Sequence, residues 1–239
     1  MLQQGPARRL FAFITITLTV ILFAACGASN PQKASSSKAA AQNSDAIVVA
    51  MVGDSITYSG GNSNSAGVVP QLQAMLGSKF EVLNFGVNGA TALKVSNKPY
   101  WTQPEYQQAL ASSPDAVVIM LGTNDSKTEN WKGGNNEFQT DYLELIDSLQ
   151  SLPSKPKVWL GLNLPAYSDA WTINGEVIEN EIHPLVKDVA YMASVTLVDY
   201  HALFENREDL MGDGIHPNYQ GNKVMAQKLS EILRTHFKK

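Results

Sequence analysis

Residues 116–125 read Ala-Val-Val-Ile-Met-Leu-Gly-Thr-Asn-Asp. The first six are apolar at every position and include three β-branched side chains in a row. Pro114-Asp115 precedes them and Gly122 follows, so the run is punctuated at both ends. Six residues are too few for a stable helix and suit a strand. A strand without a polar alternate must be covered on both faces, which is the habit of a parallel sheet between helices. Four similar runs flank it, at 46–52 (AIVVAMV), 80–85 (FEVLNF), 157–162 (KVWLGL) and 195–200 (VTLVDY). Between them lie stretches with helical spacing, at 68–76, 138–149, 177–193 and about 218–237. Pro184 is expected to kink the third of these. The β-α-β-α order predicts a three-layer α/β sandwich with a doubly wound parallel sheet of about five strands.

The chain has 239 residues, of which 44% are hydrophobic and 17% charged, and carries a formal net charge of −4. This suits one α/β domain of ordinary size. No basic patch or charge run points to nucleic acid. The single cysteine, Cys26, rules out an internal disulfide. Residues 27–45 are small and polar and bury too little to order themselves, so they read as a tether. The domain is expected over residues 46–239.

The N-terminus carries Arg8 and Arg9, then an apolar run over 10–25, then Cys26-Gly27. That run is shorter than the roughly 20 residues a spanning helix needs. Ala24-Ala25 before Cys26 makes the segment resemble a bacterial lipoprotein signal, with Phe23 where such signals usually carry Leu. The resemblance implies export, cleavage after residue 25, lipidation of Cys26 and a membrane anchor. The net charge then becomes −6. An ordinary secretory signal or an uncleaved N-terminal anchor is the alternative.

Sheets of this class place their sites beyond the carboxyl ends of the strands. Three strand ends carry Gly53-Asp54-Ser55, Asn84-Phe85-Gly86-Val87-Asn88-Gly89 and Gly122-Thr123-Asn124-Asp125. The last helix is preceded by Asp213-Gly214-Ile215-His216-Pro217. A serine hydroxyl needs a neighbouring base before it attacks. Ser55 leaves a buried strand through a glycine-led turn, and His216 with Asp213 three residues earlier offers base and orienting carboxylate. Asn124 and Gly86 offer N–H donors for a developing oxyanion. Each feature alone is an ordinary turn residue; their joint position on one side of a sheet is not. Asp54 and Asp125 read as supports of their loops, with a direct tuning role for Asp125 as the alternative. His183, His201 and His236 lack such companions and read as surface or satisfied core residues. HExxH, His-x-His, GxGxxG and P-loop patterns are missing, so neither a metal nor a cofactor is expected.

These four blocks resemble the SGNH (GDSL-type) hydrolases over about residues 47–235. The resemblance implies a flavodoxin-like SGNH hydrolase fold and a serine esterase. Catalytic Ser55, His216 and Asp213 would be joined by an oxyanion hole of Ser55, Gly86 and Asn124. Segments 121–131 and 213–218 look like the carbohydrate O-acetylesterase branch, which implies acetyl esters on a saccharide as substrate. Trp131 and Trp171, in polar loops, could stack on sugar rings or simply cap the core; Tyr100-Trp101 is equally ambiguous. A lysophospholipase or thioesterase, and a non-catalytic glycan-binding surface protein, are the competing readings.

Overall fold

The five apolar runs form five strands: β1 (Ile47–Gly53), β2 (Phe80–Gly86), β3 (Ala116–Met120), β4 (Lys157–Leu162) and β5 (Thr196–Asp199). This is a computed structural model, and it describes residues 45–61, 63–132 and 135–238, without the side chains of 135 and 136. The expected leader and nearly all of the tether, Cys26 included, lie outside the described residues. The strands pair in parallel in the order β2-β1-β3-β4-β5. The order reverses at β1, so the crevice beside its carboxyl end, next to β3, is the place where such sheets bind ligands.

Helices connect the strands. In chain order they are α1 (Ser55–Tyr58), α2 (Val68–Leu76), α3 (Pro104–Ala111), α4 (Asn135–Gln150), α5 (Gly175–Val177), α6 (His183–Met192), α7 (His201–Phe204) and α8 (Tyr219–His236). The period-2 alternation of the strands sorts their side chains onto two cores. Ala50, Val52, Val117, Ile119, Val158 and Leu160 face α4 and α6, whose Phe138, Leu145, Ile146, Val186 and Val189 are fully buried. Val49, Met51, Val118 and Trp159 face α2 and α8, where Leu72, Leu229 and Leu233 are fully buried. Helices therefore cover both faces, which explains why the central strands β1 and β3 carry no polar alternate.

Two segments differ from the sequence expectation. α3 was not anticipated, because Pro104–Ala111 has only Tyr106 and Ala109 buried and so weak an apolar stripe that periodicity does not reveal it. The helix read over 177–193 is present as one continuous helical stretch over 175–192, but with a wide π-turn over Ile178–Ile182 between α5 and α6. Pro184 has no N–H to donate and its ring would strike the carbonyl four residues back. The chain takes up this mismatch by widening one turn, and the His183 N–H donates to Ile178 O.

Candidate active site

The end of β1 runs straight into α1. Asp54 is the N-cap, its Oδ1 accepting from the Ile56 N–H at 2.9 Å. Ser55 is therefore the first helical residue, and its own N–H is one of the donors a helix start leaves free. On the opposite side, the loop before α8 brings Asp213 and His216. Asp213 Oδ1 accepts from the Ile215 and His216 N–H groups at 2.9 and 2.7 Å, and Oδ2 lies 2.9 Å from His216 Nδ1. A carboxylate accepts, so Nδ1 carries the ring proton and Nε2 presents a lone pair. His216 Nε2 lies 2.8 Å from Ser55 Oγ. Residues 161 positions apart thus form one line from carboxylate to hydroxyl. Partial burial raises the Asp213 pKa, but the two backbone N–H groups and the His216 ring outweigh it, and the carboxyl sits below its ordinary value. Pro217 lies just before the N-cap of α8, Asn218, whose side chain accepts from the Gln220 and Gly221 N–H groups.

Beside Ser55 lies a cleft of about 310 Å³, lined among others by Gly89, Asn124, Trp171, Ile173 and His216. Asn124 is 5% exposed and held from two sides: Nδ2 donates to Ala90 O at 3.2 Å, and Asn130 Nδ2 donates to the Asn124 carbonyl at 2.8 Å. One Nδ2 hydrogen stays available to the cleft. The sequence reading of Gly86 is corrected. Its N–H donates to Asn84 Oδ1 at 3.0 Å, and Gly86 does not line the cleft. A glycine stands there because a Cβ would meet the Tyr58 backbone nitrogen at 2.2 Å, where β2 packs on α1. The N–H open to the cleft on this side is that of Gly89, three residues on, at the far end of the same motif. Gly89 has φ +77, lines the cleft, and its N–H donates to nothing among the described residues. The Ser55 N–H is likewise free among them.

The aromatic expectations divide. Trp171 is 57% exposed, and its ring stands edge-to-face with His216 at 5.0 Å. It sits at φ 54 and is followed by Thr172 at φ 61, a left-handed pair that side chains other than glycine adopt only under constraint. Trp131 is corrected: it is 9% exposed, packs on Phe138 and donates Nε1–H to Glu181 Oε2 at 2.8 Å, away from the cleft. Tyr100 and Trp101 are structural too, donating to the carbonyls of Phe85 and Ala92.

Both flanking aspartates are fully buried. Asp125 accepts from the Ala92 and Leu93 N–H groups at 3.1 and 2.8 Å, and so pins the loop that carries Gly89 and Ala90. Burial pushes its carboxyl up to about 7, against those two bonds. Burial pushes Asp54 up to about 6, opposed chiefly by the Ile56 N–H. Sequence reasoning missed the grouping of Glu179, His183 and His201, whose possible ligand atoms all lie within 4.8 Å of one another. His201 comes from a separate segment, so no short motif announces the group.

A family model described as the GDSL-like Lipase/Acylhydrolase family matches residues 51–224. An acetylxylan esterase of Xylanibacter ruminicola is 39% identical over 214 residues, covering 81% of this chain and 44% of that protein. The chain thus spans less than half the length of that relative. Among solved structures, a carbohydrate acetylesterase from Sinorhizobium meliloti superposes with a TM-score of 0.63 at 18% identity, over 80% of this chain and 100% of that one. An acetyl xylan esterase superposes with a TM-score of 0.64 at 22% identity, over 78% and 100%. At such identities these two establish the shared fold.

Proposed function

The chain belongs to the GDSL-like lipase/acylhydrolase family, and from that membership we propose that it hydrolyses short acyl esters, foremost acetyl groups on carbohydrate, through an acyl-enzyme on Ser55. The observation that carries this reading is the 2.8 Å and 2.9 Å line from Ser55 through His216 to Asp213 beside free N–H donors. Ser55 Oγ attacks the ester carbonyl while His216 Nε2 takes its proton. The Ser55 N–H, the Gly89 N–H and Asn124 Nδ2 receive the oxyanion. Collapse expels the sugar hydroxyl, which takes its proton from His216. Water then attacks the acyl-enzyme by the same route and releases acetate.

Two features support a small acyl group on a sugar. The cleft of about 310 Å³ beside Ser55 and His216 takes a small acyl group, and a second hollow of about 400 Å³ that also reaches both residues leaves room for the sugar. The exposed Trp171 ring stands at the mouth of the cleft and is suited to stack on a sugar face. The acetylxylan esterase relative adds weight to this choice. The test compares acetate release from acetylated xylan and acetylated xylo-oligosaccharides with hydrolysis of p-nitrophenyl acetate and palmitate. Turnover of acetylated saccharide at least as fast as that of p-nitrophenyl acetate is expected, with palmitate slower by about 100-fold or more. Preference for palmitate would point to a lipase and overturn the carbohydrate reading.

We further propose that Cys26 is the lipidated N-terminus of an exported, membrane-anchored protein. The motif of Arg8-Arg9, a short apolar run and Ala24-Ala25-Cys26 supports it. Expression in a bacterium fed a labelled fatty acid should label the wild-type chain. Equal labelling of Cys26→Ser would refute the anchor.

A further inference from the structure

We propose that Glu179, His183 and His201 form a binding site for a transition-metal dication, foremost Zn²⁺, at the back of the wall that shapes the Ser55 cleft. The donor set is two imidazoles and a carboxylate, one of the sets zinc takes when it keeps a fourth position open. His183 is 4% exposed, and its Nε2 lies 3.0 Å from Asn163 O. A backbone carbonyl only accepts, so the ring proton sits on Nε2 and Nδ1 presents a lone pair. That is the outer hydrogen bond that orients a metal-binding imidazole. Nδ1 points to Glu179, 3.9 Å from Oε2, while His201 Nε2 lies 2.9 Å from Glu179 Oε1. The two imidazole rings meet edge-to-face at 4.6 Å.

An ion pair between Glu179 and His201 would leave the His183 lone pair idle. A metal ion uses all three groups. Zinc bonds of about 2.0–2.1 Å place neighbouring ligand atoms about 3.3 Å apart, and the three candidate atoms lie within 4.8 Å. Glu179 is exposed and His201 half-buried, so both can close that gap and the site is open to solvent. Glu179 lies in the π-turn of Ile178–Ile182, four residues ahead of His183. Ile178, next to Glu179, packs on Ile173 and Ile215, and these two line the Ser55 cleft. A bound ion would therefore tie this wall to α7.

The test uses the untagged full chain, stripped with a chelator and titrated with Zn²⁺ by calorimetry and thermal unfolding. We expect one Zn²⁺ per chain at micromolar affinity or tighter, and a Tm that rises with Zn²⁺. Glu179→Gln and His201→Asn should each weaken Zn²⁺ at least ten-fold and remove most of that rise. Circular dichroism of the metal-free variants checks that they fold, and either variant alone suffices. Co²⁺ should give the intense visible bands of a low-coordinate site in wild type and lose them in the variants. Absence of saturable binding, or equal binding by the variants, overturns the proposal. The latter would place the ion elsewhere in the chain, Cys26 included.

Discussion

Both oxygens of Asp213 are engaged, one by two backbone N–H groups and one by the His216 ring. The carboxylate therefore fixes the loop and the imidazole tautomer at once. Asp213→Asn keeps the shape but offers an N–H where an acceptor is needed, or leaves the imidazole with the wrong tautomer. Turnover of p-nitrophenyl acetate should fall by about 10³- to 10⁴-fold. Asn124→Ala removes one oxyanion donor and should cost about 10²- to 10³-fold in kcat with little change in KM. A loss confined to KM would contradict that role. At this scale the sequence was readable where chemistry and motif coincide, as at Ser55, Asp213 and His216, which lie within hydrogen-bonding reach. It misled at Gly86. Two glycines three apart share the motif, and only packing tells which is there for close approach to α1 and which offers its N–H. It was also silent on which tryptophan is wet: Trp131 and Trp171 both follow strands in polar loops, and the difference is the partner each ring finds.

The short helix α1 depends on Asp54, which caps it while lying fully buried. Its Oδ2 has no hydrogen-bond partner among the described residues. With its pKa raised to about 6 in the fold, Asp54 keeps a proton that the unfolded chain has already lost. Between about pH 4 and 6 the folded state thus binds more protons, and the contribution of this group to stability falls as pH rises. Asp54→Asn keeps an oxygen for the cap and removes the buried charge. The Tm of the variant relative to wild type should rise as pH goes from 4 to 7, then level. A difference that stays flat or falls would refute the raised value. Referring each Tm to wild type cancels the opposing titration of His183, whose lowered pKa adds stability as pH rises towards 6.5. Other elements were legible to different degrees. The five strands and α4 declare themselves by unbroken or strongly periodic apolar runs. Helix α3 is thinly buried and does not, and the π-turn before α6 answers a proline whose effect on the backbone has more than one solution.

The sheet brings the pieces together. The order β2-β1-β3-β4-β5 sets the ends of β1 and β3 side by side, and the loops after β2 and β4 close the cleft around them. Alternating strands and helices made that class of fold readable. Strand order was not readable from the apolar runs, because it rests on pairings between runs far apart in the chain, as in Gly53 with Gly86 and with Met120; only the family resemblance, with its flavodoxin-like fold, implied it. The central claim is that this convergence makes Ser55 a nucleophile. Intact-mass and peptide analysis after treatment with a fluorophosphonate tests it most directly. One adduct per chain, mapped to Ser55 and missing from Ser55→Ala and His216→Ala, is the expected result. Labelling at another residue, or a Ser55→Ala chain that still hydrolyses p-nitrophenyl acetate at the wild-type rate, would contradict it.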